Sequence, residues 1–182
     1  MQHDLGPNEL GYDEFAYDES DYGIPDIDPA IRTNYEAALG RLILAHNAID
    51  ILLTQLLERC LKRLGNPKSL DKLAHGDFAR RLDNLAMLAE LPVDLRIGAI
   101  KIEEIRDLNR QRNIVAHGHF EQNLYDGGSY ELINNRKRYG DFTLERLNAI
   151  TARMTAQASH LMPLVAFYEV FRELPPGSQP VV

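Results

Sequence analysis

The sequence predicts an all-α fold: a bundle of four to five helices with a short β-hairpin inserted before the last helix. Apolar residues recur at steps of three and four over long stretches, which is typical of amphipathic helices. Strand-like alternation occurs only between residues 119 and 139. Hydrophobic residues make up 45% of the 182, enough for one core. We therefore expect a single domain over residues 29–175, between tails at 1–28 and 176–182.

The first helix is expected to run from Pro29 to about Leu64. Asp28 can cap its N-terminus, proline suits the first helical position, and Gly-Asn-Pro at 65–67 ends it. Its apolar residues cover more surface than one neighbouring helix could bury. We therefore expect this helix to contribute both to the core and to a homodimer interface.

Two shorter helices are expected next. The second should span residues 70–91 with Ser69 as its N-cap, and Pro92 separates it from the third. The third helix should end near His117, with Gly118 in the left-handed conformation that ends many helices.

The hairpin and the last helix complete the predicted domain. Alternating apolar residues flank the Asp-Gly-Gly sequence at 126–128, which suits a turn between two short strands. The last helix is expected from about Asp141 to the residues before Pro175. Pro163 lies inside it and should kink or split it.

Charge is distributed unevenly along the chain. The net charge is -7, but nine of the 27 acidic residues lie in residues 1–28, which contain no Lys or Arg. The rest of the chain carries 20 basic and 18 acidic residues, so an anionic ligand on the folded part remains compatible with the composition. The acidic tail is either a solvated arm or a segment whose carboxylates imitate phosphates while its aromatic residues dock on the domain or a partner.

The composition also excludes several classes of protein. The single cysteine, Cys60, cannot form an internal disulfide, and the acidic N-terminus is the reverse of a targeting signal, so we expect a cytoplasmic protein. The most apolar stretch, residues 42–57, contains His, Asn, Asp and Gln, and no membrane role is expected for it. The sequence has no phosphate-binding loop, dinucleotide fingerprint or zinc-type spacing, so no cofactor and no metal are expected.

A segment of the third helix carries the candidate chemistry. Arg112 follows Ile105 and Leu108 at helical steps, in line with the apolar face. It needs a carboxylate, a cluster of carbonyl groups or a ligand phosphate, because burying a lone guanidinium costs several kcal/mol. Asn113 and His117 are four residues apart and can share a face. Arg112 and His117 lie about 140° apart on a continuous helix, so they converge only if the helix ends near His117 or a partner subunit supplies one of them.

This segment resembles the signature of the HEPN superfamily, helical domains of prokaryotic toxins, antiviral effectors and their relatives. That signature is an Arg, four to six residues, and then a His, and Arg112 and His117 match it. Its fuller form, Arg-Asn-x-x-Ala-His-Gly, is matched by Asn113, Ala116 and Gly118 as well. The order of helices from about residue 31 to 174 is also similar to that family, whereas the acidic tail and the hairpin depart from it.

The resemblance implies that residues 29–175 form an HEPN-like domain, an RNA-directed protein of a toxin–antitoxin or defence system. Active members of the family are homodimers that bring two Arg/His pairs together and cleave RNA without a metal ion. In such a site His117 would transfer protons while a ribose 2′-hydroxyl attacks its phosphate. Arg112 would stabilise the developing charge, and Asn113 would orient the reacting groups.

Four further residues are candidates for nucleic-acid binding. His119 lies two residues beyond the motif and either assists the site or is simply solvated. The basic run Arg136-Lys137-Arg138 either holds backbone phosphates or forms the solvated base of the hairpin.

Other interpretations stand beside catalysis. The chain also resembles the helical mannitol operon repressor-like proteins, which implies a non-catalytic nucleotide-binding or transcription-regulatory domain with a regulatory protein as its partner; the toxin interpretation implies an antitoxin instead. Alternatively, Arg112, Asn113 and His117 serve only as a structural hydrogen-bond hub. In the first helix, His46 and Asp50 are four residues apart and either form a core hydrogen bond or face the motif.

Overall fold

A computed structural model describes residues 28–124 and 126–170, and its architecture confirms the predicted fold class. Helices dominate, and a small three-stranded antiparallel sheet precedes the last of them. The predicted tails at 1–28 and 176–182 lie outside the described residues, apart from Asp28. In chain order the elements are α1 (Pro29–Arg63), a 3-10 helix (Lys68–Ala74), α2 (Phe78–Ala89), α3 (Ile102–Ala116), β1 (His119–Gln122), β2 (Tyr130–Asn134), β3 (Lys137–Tyr139) and α4 (Leu144–Val170).

Helices α1 and α4 form the centre of the bundle and pack along each other over most of their length. The bounds of α1 match the prediction, and Asp28 caps the helix by accepting a hydrogen bond from the Ala30 N–H (2.9 Å). Helix α4 does not split at Pro163. Leu161 and Val165 on either side of the proline are buried, so tertiary packing maintains the helix there.

Helix α1 combines a buried face with an exposed apolar one. Ten of its residues are buried, at steps of three and four, and they include His46. Leu44 and Ile51 on the other face are 70% and 58% exposed. By length and composition alone α1 could also cross a membrane, a test that the core helix of a soluble protein passes too. The absence of a membrane role therefore stays a prediction.

The predicted second helix, 70–91 with Ser69 as its cap, is wrong in its first half. Residues 68–74 form the 3-10 helix, and Gly76 has a φ of +107°, a conformation that interrupts a helix. Asp77 then caps α2, since its Oδ1 accepts a hydrogen bond from the Arg80 N–H (2.8 Å). The local Gly76-Asp77 sequence thus sets the start of α2, although the apolar periodicity predicts an earlier start.

Helix α3 is shorter than predicted, because the chain after Pro92 does not enter a helix until Ile102. In the irregular connection Leu95 and Ile97 are each 2% exposed and point into the core, while Arg96 between them has a φ of 51°. Two buried side chains, on alternate residues, therefore anchor this connection to the core in place of the helical turns that were expected.

The hairpin prediction is confirmed, and the structure adds a third strand. Strands β1 and β2 pair in antiparallel register around the Asp-Gly-Gly sequence at 126–128. Asn135 and Arg136 both have positive φ values, 49° and 65°, and form a two-residue turn between β2 and β3. The basic run 136–138 is thus part of a turn and a strand.

Gly118 joins α3 to the sheet, but not in the predicted way. The C-cap of α3 is His117, and Gly118 does not adopt a positive φ, so the expected left-handed cap is wrong. A Cβ at Gly118 would lie 2.6 Å from Leu132 Cδ1 and 2.9 Å from the carbonyl oxygens of Ile114 and Ile133. Glycine is required here because two backbones approach each other closely.

We predict that Gly118→Ala destabilises the protein by about 1–3 kcal/mol, because two of the three crowded atoms are backbone oxygens that cannot move cheaply. The free energy of unfolding in urea measures the effect. Gly140→Ala is the matched control, since nothing lies within 4 Å of its Cβ position. Equal stabilities for the two variants would contradict the close approach at Gly118.

Candidate functional site

An open cleft of about 680 Å³ runs between α3 and the hairpin of β2 and β3. One face of α3 lines it, because these residues recur at helical steps: Arg106, Asn109, Arg110, Asn113, Ile114 and His117. The sheet contributes Asn134, Asn135 and Tyr139. The lining contains no carboxylate, and its polar groups are chiefly hydrogen-bond donors and amides.

Two contacts set the position of the hairpin against α3. Asn134 donates a hydrogen bond from Nδ2 to the carbonyl oxygen of Ile114 (2.8 Å), one of the last carbonyls of the helix, which lack helical partners. The close approach at Gly118 holds the two backbones together just beyond that point. The cleft therefore has walls whose separation is determined by backbone contacts.

His117 occupies the end of the cleft. Its backbone N–H donates to the Asn113 carbonyl oxygen (3.1 Å), and its side chain is exposed. Asn113 is half-buried and lines the same cleft. The predicted pair on one helix face is therefore found together, with an imidazole accessible to a ligand.

Arg106 and Arg110 bring two guanidinium groups to the cleft, and nearby carboxylates accompany them. Arg106 Nη1 lies 2.6 Å from Asp83 Oδ1, and Arg106 Nε lies 3.3 Å from Glu103 Oε1. The Arg110 guanidinium pairs with the Asp107 carboxylate. Such exposed ion pairs contribute only about 0–1 kcal/mol, so an incoming phosphate can replace the carboxylates at little cost.

Arg112 does not line the cleft. Its Nη1 donates to Asn113 Oδ1 (3.1 Å), a single amide oxygen in place of the expected carboxylate, carbonyl cluster or ligand phosphate. Its Nε is buried, and no hydrogen-bond partner for it is found within residues 28–124 and 126–170. The structure thus brings Asn113 and His117 together and places Arg112 behind Asn113.

His46 of α1 contacts the motif helix from the interior. Its side chain is only 5% exposed, its Nε2 lies 3.1 Å from Asn109 Oδ1, and its ring packs against Phe78. The Asp50 carboxylate pairs with Arg81 instead. His46 is therefore hydrogen-bonded in the core, as one interpretation expects, but to Asn109 of the motif helix and not to Asp50.

The pKa of His46 is lowered. Burial is the main cause, because it disfavours the charged imidazole. The hydrogen bond with Asn109 raises the pKa, the Arg112 charge lowers it, Asp50 raises it and Arg81 lowers it. His46 is therefore neutral at pH 7.

The other predicted nucleic-acid-binding residues lie away from the cleft lining. His119, Ile133 and Arg138 are aligned across the three strands and share one face of the sheet, opposite the buried Leu132. Their role in binding stays a prediction.

Side chains of the basic run contact other residues of the same sheet. Arg138 Nη2 lies 3.1 Å from Glu121 Oε2, and Arg138 Nη1 lies 2.8 Å from Glu131 Oε2. The Lys137 amine lies 4.7 Å from the centre of the Tyr139 ring. Arg136 is exposed in the turn. Arg138 is thus neutralised across the strands, which could not be read from the run itself.

The cleft residues on the sheet and the two arginines of α3 were missed by the sequence reasoning. The spacing of Arg106, Arg110, Asn113 and His117 could have identified the helical face. Nothing local could have identified Tyr139 or the two asparagines of the hairpin.

Comparison of the chain with protein-family models, with curated proteins and with solved structures gave no match in any of the three. Within the part of the chain that is described, no group of three or more His, Cys, Asp or Glu side chains could hold a metal ion.

We predict that His46 makes the protein less stable in acid. The pKa of His46 is lower in the folded state than the ordinary 6.5. At a pH between these two values, the unfolded chain therefore binds more protons than the folded one. The contribution of neutral His46 to the free energy of unfolding is complete above about pH 6.5, and it is lost as the pH falls toward the pKa of His46 in the folded state. The melting temperature should therefore drop between about pH 7 and 5.

The control is the His46→Gln variant, which cannot titrate and should show a shallower pH dependence of melting. His160→Gln, at an exposed position of α4, should follow the wild type. Identical slopes for wild type and His46→Gln would contradict the lowered pKa.

Proposed function

We propose that the protein is an HEPN-like, RNA-directed protein that binds single-stranded RNA in the cleft. We further propose that a homodimer of it is a metal-independent endoribonuclease of a toxin–antitoxin or defence system. The observation that carries the proposal is the alignment of two guanidinium groups, Asn113 and the accessible His117 along one cleft without a carboxylate in its lining.

The dimensions of the cleft support a nucleic-acid backbone as ligand. Arg106 and His117 are eleven residues apart, which is about 16 Å along a helix. Arg110 lies between them on the same face. Cations spaced along a groove hold successive phosphates, while amides and an aromatic ring such as Tyr139 contact unstacked bases and ribose hydroxyls.

The proposed cleavage needs only proton transfer and charge stabilisation. His117 accepts the proton of a ribose 2′-hydroxyl, whose oxygen attacks the adjacent phosphorus. The bond from phosphorus to the 5′-oxygen breaks, and that oxygen takes up a proton from water, leaving a 2′,3′-cyclic phosphate and a 5′-hydroxyl. Protonated His117 then returns its proton to the solvent. Arg112 stabilises the additional negative charge of the transition state, and Asn113 orients the phosphate.

A second copy of the chain is part of this proposal. Within one protomer Arg112 lies behind Asn113, so a complete site requires the guanidinium of the partner. Leu44, Ala48 and Ile51 are exposed at successive turns of α1 and form an apolar stripe that a second copy could cover. This stripe lies on the face of α1 opposite His46, which contacts α3, so a dimer through it is separate from the contact that would bring a partner's Arg112 to the cleft.

A non-catalytic function is the second candidate, and the position of Arg112 favours it. With that guanidinium held at Asn113, the cleft can bind a nucleotide or RNA through Arg106 and Arg110 without breaking a bond. The protein would then be a nucleotide-binding or transcription-regulatory domain of the mannitol repressor-like type, with a regulatory protein as its partner.

We predict cleavage of single-stranded RNA by the purified protein in the presence of EDTA, because no step requires a metal ion. His117→Ala should reduce the cleavage rate by about 100-fold or more, as expected for loss of a general base. His160→Ala, which removes an exposed imidazole from α4, should leave the rate unchanged. Gel analysis of labelled RNA measures the rate.

The outcomes separate the two candidates. Binding of RNA without cleavage by the wild type supports the non-catalytic function. Cleavage that persists equally in His117→Ala comes from a contaminant and removes the support for catalysis. Absence of both binding and cleavage overturns the RNA-directed function altogether.

Mixing two inactive variants tests whether the site is shared between protomers. Arg112→Ala and His117→Ala should each be inactive, but dimers that contain one of each carry one complete composite site. Half of the dimers in an equal, re-equilibrated mixture are of this kind, so about a quarter of the wild-type activity should return. No recovery, despite exchange of subunits, would show that Arg112 and His117 act within one protomer.

A further inference from the structure

His46 lies outside the cleft but is connected to it through two residues of α3. Its side chain is 5% exposed, and its Nε2 lies 3.1 Å from Oδ1 of Asn109, which lines the cleft. Its imidazole also interacts electrostatically with Arg112. Arg112 in turn donates to Asn113, a second lining residue.

The hydrogen bond with Asn109 determines the tautomer of His46. The amide oxygen can only accept, so the Nε2 of His46 carries the hydrogen and Nδ1 is an acceptor. Among the described residues, this Nδ1 and the Nε of Arg112 are the two buried side-chain nitrogens that lack a hydrogen-bond partner. One is an acceptor and the other a donor, and such orphaned atoms are rare in folded proteins.

We propose that His46 is a positioning residue for the cleft: in its neutral form it donates from Nε2 to Asn109 Oδ1 and so orients the Asn109 amide in the cleft wall. The RNA-binding consequence rests on the function proposed above. The coupling between His46 and Asn109 does not, and it can be measured without RNA.

The charges around His46 explain why only its neutral form can serve. Asp50, on the same helix, is paired with Arg81 of α2 and is thus already neutralised. The charge of Arg112, on α3, disfavours a protonated imidazole, and the Phe78 ring packs on the imidazole from α2. A protonated His46 would also carry a new Nδ1–H donor that has no acceptor among the described residues. Protonation should therefore disturb the hydrogen bond with Asn109.

The first experiment follows side-chain amides by NMR, in a His117→Gln background so that the cleft imidazole does not contribute. As the pH is lowered from about 7 to 5, the Asn109 side-chain amide signals should shift with the same midpoint as the His46 imidazole. In the His46→Gln form of this protein, which keeps a donor but cannot titrate, that transition should be absent. Amide signals that do not respond when His46 titrates would overturn the proposal.

The second experiment measures affinity for single-stranded RNA at about pH 7.5 by fluorescence anisotropy. His46→Leu fills a similar volume but cannot donate to Asn109, and it should weaken binding roughly fivefold, as expected for one lost hydrogen bond. His46→Gln should bind within about twofold of the wild type. Melting temperatures confirm that the variants are folded, and if His46→Leu is not, the comparison of His46→Gln with wild type by NMR decides.

The two failures are distinguishable. If the wild type binds no RNA, the proposed function falls, while the amide titration still decides whether His46 positions the cleft residues. If RNA is bound but folded His46→Leu binds it as tightly as the wild type, His46 has no positioning role and the proposed function stands.

Discussion

The end of α3 is held against the sheet by a close approach of two backbones, and the cleft depends on this junction. Gly118 permits the approach because any Cβ would meet carbonyl oxygens of both α3 and β2. Asn134 adds a hydrogen bond to a carbonyl that the helix end would otherwise leave unpaired. A helix that ended in solvent could present His117, but it would have no second wall of amides and no Tyr139 opposite.

A polar layer, buried at His46 and part-buried at Asp50, connects three helices behind that wall. His46 of α1 meets Asn109 of α3, and Asp50 of α1 meets Arg81 of α2. Burying such groups costs free energy unless they are paired, so a layer of this kind favours one register of the helices over apolar alternatives. The same layer contains the two orphaned nitrogens of His46 and Arg112, which makes it the part of the core where stability and the cleft are most directly related.

The position of Arg112 is the point on which the two candidate functions differ. A guanidinium half-buried behind Asn113 can hold that amide in place, which suits a binding site. A catalytic site needs a guanidinium at the phosphate, and a second protomer offers a way to supply it.

Local signals in the sequence determined the fold class, the bounds of α1 and the existence of the hairpin. They also determined that Asn113 and His117 share a helix face. Caps, turn residues and helical spacing carry this information because each acts over only a few residues. The Gly76-Asp77 break of the second helix was also local, but apolar periodicity obscured it. Only the tertiary structure decided the rest. Two examples are the face of α3 that meets the sheet and the neutralisation of Arg138 by carboxylates on two other strands. Both depend on contacts between different elements of the fold. Such contacts leave no periodic trace in the sequence, since their free energy arises only once the backbone has brought the partners together.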